Sequence, residues 1–181
     1  MGTPSAISLG PGTLYIAQGL GTTEPADLVT AWPVGWVGLG YTFEGSKFSY
    51  QLNVAPVEVA EELDPIKYAP TGRTIKVSFT LAEITATNLK RALNGGVIAT
   101  GAGFVLFDPP AFGTEVRAMY GWQSDDAQER WIFRQCLSTG AVEPTRKKGA
   151  DKAGFGMELN CEKPATGLQP FRAIFVSPGR A

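Results

Sequence analysis

Three segments of this chain alternate apolar and polar residues with a period of two, which commits them to extended strands with one buried and one wettable face. Over residues 73–84, Ile75, Val77, Phe79 and Leu81 alternate with Lys76, Ser78, Thr80 and Ala82. Over 48–54, Phe48, Tyr50, Leu52 and Val54 oppose Ser49, Gln51 and Asn53. Over 155–161, Phe155, Met157, Leu159 and Cys161 oppose Gly156, Glu158 and Asn160. Further strands are expected over 12–18, 115–122, 129–137 and 171–176. The 129–137 segment does not alternate, because Trp131, Ile132 and Phe133 are consecutive. Both of its faces are therefore expected to meet protein, and Trp131 is a candidate subunit contact. The 22 glycines and 13 prolines are scattered between these runs rather than gathered in a linker, as turns between short strands require. The chain reads as mostly β and as one domain, 1–181.

One helix is expected after Ile84. Thr85 is placed to accept a backbone hydrogen bond as N-cap, and Ile84 and Leu89 span the first turn as a hydrophobic staple. Leu89, Ala92 and Leu93 form the apolar stripe, Lys90 and Arg91 suit the carboxyl end, and Gly95 and Gly96 supply the stop.

The residues needed for most chemistry are missing. There is no histidine, which removes the usual general base near neutral pH, the common triads and most zinc and iron sites. Cys136 and Cys161 cannot complete a tetrahedral thiolate site alone, and neither a metal nor another cofactor is expected. Whether they are buried thiols or a disulfide stays open, with thiols favoured because the first ten residues carry no secretory pattern. The adjacent pairs Glu61–Glu62 and Asp125–Asp126 point to opposite sides of an extended chain, so they read as solvated charges rather than a glycosidase pair. The glycine doublets around Leu20 and Leu39 lack a dinucleotide fingerprint, and no apolar run spans a bilayer. An enzyme is not expected.

Charged residues are 18% of the chain, below the roughly 25% of an ordinary soluble domain. A net charge of -1 gives no field that would draw the chain to nucleic acid or an anionic membrane. A surface this short of charge suits a protein whose faces are covered by partners.

The order of features over residues 12–96 resembles the major tail tube proteins of long-tailed phages with non-contractile tails, the siphophages infecting actinobacteria. The series runs through Gly12-Thr13-Leu14-Tyr15-Ile16, Gly21-Thr22-Thr23-Glu24-Pro25, and Trp36 leading to Gly40-Tyr41-Thr42-Phe43-Glu44-Gly45. It continues with Val57-Glu58-Val59-Ala60-Glu61, Asp64-Pro65-Ile66, Thr80-Leu81-Ala82-Glu83 and the helix from Asn88-Leu89 to Leu93-Asn94. The resemblance implies a mainly β (α+β) fold: two antiparallel sheets forming a sandwich or barrel, with one flanking helix. It also implies hexameric rings stacked into a virion tail tube, assembled in the host cytoplasm. The implied partners are further copies of the chain, the tape measure protein, the tail terminator and tail tip proteins, and double-stranded DNA in transit. A related ring-forming tube protein of a contractile or secretion system, and a monomeric β-sandwich binding module, are the alternatives.

On this reading the channel must be wettable and must not be basic, since Lys and Arg would hold duplex phosphates through counterion release. Ser49, Gln51, Asn53, Ser78, Thr80, Glu158 and Asn160 are the candidate lining. Lys76 shares their row, so either its strand end lies outside the channel or a carboxylate offsets it. Residues 53–71, with Pro56, Pro65 and Pro70, are expected to form an extended loop reaching another subunit or ring. Its acids Glu58, Glu61, Glu62 and Asp64 are expected to meet Arg146, Lys147 and Lys148 of a neighbour.

Overall fold

The computed structural model describes residues 10–144, 146, 153–165 and 167–177. In chain order the elements are β1 (Gly12–Ala17), β2 (Val37–Gly38), β3 (Thr42–Val57), β4 (Lys67–Leu81), α1 (Ala86–Ala92), β5 (Val97–Gly101), β6 (Phe104–Asp108), β7 (Ala118–Ser124), β8 (Glu129–Ser138), β9 (Phe155–Cys161) and β10 (Phe171–Phe175). The fold is mainly β, with two antiparallel sheets among the described residues. The larger has eight strands in the order β2-β1-β7-β8-β9-β4-β3, with β10 branching from β8; the smaller is the β5–β6 hairpin.

The branch comes from the length of β8. Residues Glu129–Phe133 pair with β10, while Cys136–Ser138 pair with β9, so two strands share one edge of β8 end to end. The large sheet then folds over itself. Phe79 on β4 and Tyr120 on β7 lie three strands apart in the sheet order, yet their ring centroids are 6.4 Å apart. Three strand spacings in a flat sheet would separate them by about 14 Å. The two packed layers of the sandwich are thus parts of one sheet, and the core between them holds Leu14, Val77, Phe79, Leu81, Phe133, Phe155, Met157 and Leu159.

The alternation in β4 appears directly in its burial: Ile75, Val77, Phe79 and Leu81 are buried while their neighbours are not. The helix forms where expected. Thr85 Oγ1 accepts from the Asn88 N–H at 3.1 Å, and Ala92 enters the core. The stop comes one residue earlier than expected, because Asn94 already takes a left-handed φ of 57°. The strand expected to start at 115 begins at Ala118: Glu115 turns back to the Gly113 N–H, and the Arg117 guanidinium pairs with Glu162.

β8 is covered on both faces, as its sequence requires, but the second cover comes from its own chain. Residues 18–36 lie across the outer face of β1, β7 and β8, where Trp32, Trp36, Tyr15, Met119 and Ile132 form a second apolar cluster. Gly121 makes room for it, since a Cβ there would run into the Trp32 ring.

Candidate assembly surfaces

The register of β3, β4 and β9 brings the predicted polar residues onto one face. Ser49 pairs with Lys76, which pairs with Asn160; one rung along, Lys47, Ser78 and Glu158 line up in the same way. Gln51 and Asn53 continue this row along β3, and Thr80 continues it along β4. Lys76 Nζ meets Glu158 Oε1 at 2.7 Å, so a carboxylate does offset the cation that the sequence made awkward. The pair is more than 40% exposed on both sides, so its value lies in cancelling charge rather than in stability. Asn160 Nδ2 donates to Thr139 Oγ1 at 2.5 Å. Sequence reasoning missed Lys47, an exposed residue in the same row, although its even spacing from Ser49 marked it.

The 53–71 segment is not an extended loop at its ends. The β3–β4 ladder runs out to Val57 paired with Lys67, with an irregularity at Asn53 that leaves Thr71 unpaired, and the turn is residues 58–66. Pro56 is tolerated because β3 is the last strand of the sheet, Pro70 because β4 has no second neighbour beyond Lys76, and Pro65 lies in the turn itself. β9 reaches only as far as Lys76, so the outer half of the β3–β4 hairpin stands clear of the sheet as an arm. Its apolar row is left uncovered: Tyr50, Leu52 and Val54 are about half exposed. Glu58, Glu61, Glu62 and Asp64 all sit exposed at its end. The expected partners of these acids fall mostly outside the described residues: Arg146 is exposed, and Lys147 and Lys148 are not among those described.

Trp131 faces its own chain. It is surrounded by Phe48, Phe133, Phe171 and Phe175, with centroids 4.9–6.3 Å away, and its indole N–H donates to Glu129. Phe48 reaches this cluster from β3, which ties the arm's base to β8.

The β5–β6 hairpin, which sequence reasoning did not find, is a second projection. Val97, Phe104, Val105 and Leu106 are all more than half exposed. An isolated two-stranded hairpin is marginal in water, so its exposed apolar surface calls for a partner. Between its base, α1 and the ends of β1 and β7 lies a cavity of about 370 Å³, lined by Ile16, Val116, Ala118 and Pro110, with Lys90 and Arg91 in its wall.

Among the described residues no group of histidine, cysteine or carboxylate side chains is placed to hold a metal. Among them, too, no helix is long and apolar enough to cross a membrane. No protein-family model and no curated protein matches the chain. Among solved structures, the chain is similar to one in the sheath-tube complex of an extracellular contractile injection system, PVC, in the extended state. Identity is 9%, with 97% of this chain and 100% of that chain covered and a TM-score of 0.47. It is also similar to Hcp1 from Salmonella typhimurium, at 9% identity over 91% of this chain and 94% of that one, with a TM-score of 0.33.

Proposed function

We propose that this protein is the structural subunit of a self-assembled tube: hexameric rings stacked as the tail tube of a long-tailed phage, enclosing the tape measure protein and passing DNA during ejection. The observation that carries this is β3, a sixteen-residue edge strand whose inner row, Tyr50, Leu52 and Val54, is half exposed along the arm. A long unpaired edge with apolar side chains is an aggregation site unless another chain covers it. The opposite end of the sheet is open as well, because β2 pairs with only Tyr15 and Ile16 of β1. Two different free edges on one subunit favour a head-to-tail contact, which closes into a ring when the rotation allows. The polar face of β3, β4 and β9 then lines the bore, with Lys76 and Glu158 cancelling there and Lys47 left, among the described residues, as an isolated exposed cation in a row that is otherwise neutral. Such a lining gives passing DNA little to bind.

Sizing chromatography at rising protein concentration, followed by negative-stain microscopy, tests the proposal. Rings and tubes are expected. Rings that never lengthen would point instead to a ring-forming component of a contractile or secretion system. A sharp monomer peak at every concentration, with no annular particles, would overturn it in favour of a solitary binding module.

A further inference from the structure

The cavity beside α1 has two properties that call for an occupant. Part of its wall is aliphatic, formed by Ile16, Pro109, Pro110, Ala111, Val116 and Ala118, and the wall also contains two cations without a carboxylate partner among the described residues. Arg91 Nε is buried and bonded to nothing there, while Nη1 donates to Asn88 Oδ1 at 2.9 Å. Burial pushes the Arg91 pKa down, the mark of a cation held short of solvent and counter-charge. A buried donor in this condition gains from an anionic acceptor.

The far end of the arm has the opposite character. Leu63 is fully exposed between Glu62 and Asp64, and among the described residues none of the arm's carboxylates pairs with a cation of its own chain. The arm opens β4 and α1 follows its other end, fifteen residues later, roughly 50 Å along a strand. The ladder is paired out to Val57 and Lys67, so the tip cannot fold back into the cavity of its own chain.

We infer that the tip of the arm docks in the α1 cavity of a second copy, with Leu63 in the aliphatic part and Glu62 and Asp64 against Lys90 and Arg91. This contact joins two different patches at opposite ends of β4, so it is head-to-tail, and directed from one ring to the next it repeats along the tube rather than around the ring. It rests on the tube reading and assigns the step that converts rings into tubes. It gives the arm's acids an acceptor in addition to the one expected at Arg146, Lys147 and Lys148.

The test uses the full chain with Leu63→Asp, Lys90→Glu and the pair Glu62→Lys with Lys90→Glu. All three positions are exposed or half-buried, and thermal melts establish that each variant folds. Leu63→Asp and Lys90→Glu are expected to lose tubes while keeping rings, and the charge-swapped pair is expected to recover tubes that Lys90→Glu alone lacks. Tubes of normal length from both single variants, or no recovery in the swapped pair, would overturn the contact and leave the tube reading standing. A wild-type chain that forms neither rings nor tubes would overturn both.

Discussion

Arg130 is 1% exposed, and its guanidinium is spent on one task. It donates to the carbonyl oxygens of Asp27, Leu28 and Thr30 and to Gln123 Oε1, and it lies 4.9 Å from the Trp32 ring. Gln123 Oε1 also accepts from the Trp32 indole at 2.8 Å, so one strand position and one cation hold the crossing loop. Arg130→Met keeps the volume and removes the donors; about 3 kcal/mol of stability should be lost, since hydrogen bonds to charged groups are worth about 1.5–3 kcal/mol each. A chain of this size should then melt about 6–12 °C lower, which calorimetry reads. Glu162 accepts from Gln135 and from Arg117, and these bonds, that from Gln135 first, hold its carboxyl below the usual range. Its contribution is complete above the ordinary carboxylate pKa and is lost as pH falls through the lower folded value. Glu162→Gln should therefore lower the urea midpoint at neutral pH, and the gap to wild type should close in acid. Cys136 and Cys161 face each other across β8 and β9 with Sγ atoms 3.2 Å apart, and both are free. Burial pushes the Cys136 thiol well up. Alkylation at pH 8 should stop at one thiol, Cys161, until denaturant is added, as intact-mass spectrometry would register. Sequence exposed the Lys76 problem but not the Arg130 clamp. Lys76 stood out as a cation in a local row of otherwise neutral side chains, whereas the backbone partners of Arg130 stand about a hundred residues away and leave no local pattern.

Elements with one buried face were legible for the same reason. Phe155–Cys161 was read to the residue, and α1 with its Thr85 cap was read within a residue of its stop. β3 and β4 were read too short at their outer ends, because those halves bury neither face and prolines there look like loop residues, while β4 was carried three residues past its end at Leu81. β5 and β6 were missed because their apolar residues face both ways, which no period-two template detects. The same lack of burial makes the arm separable from the core. Tyr50→Lys combined with Leu52→Lys changes half-exposed positions, and the melt should move by less than about 0.5 kcal/mol per site. Light scattering should nevertheless show assembly abolished. Unchanged particle size would remove the arm's apolar row from the list of contacts.

At the scale of the whole molecule, the sequence could not show that a single sheet supplies both layers. Alternation fixes which face of a strand is buried, but the pairing order that lets Phe48 of β3 meet Trp131 of β8 depends on contacts far apart in the chain. The loop 18–36 belongs to the same class. It comes early in the chain, yet the side chains that fasten it, Gln123 and Arg130, come late. At a synthesis rate of about 5–20 residues per second, roughly 5–20 s separates the two on the ribosome. Through that interval only Tyr15 of β1 is there to meet Trp32, while Met119 of β7 and Ile132 of β8 are still to come, so the nascent polypeptide carries largely bare tryptophans until its second half emerges.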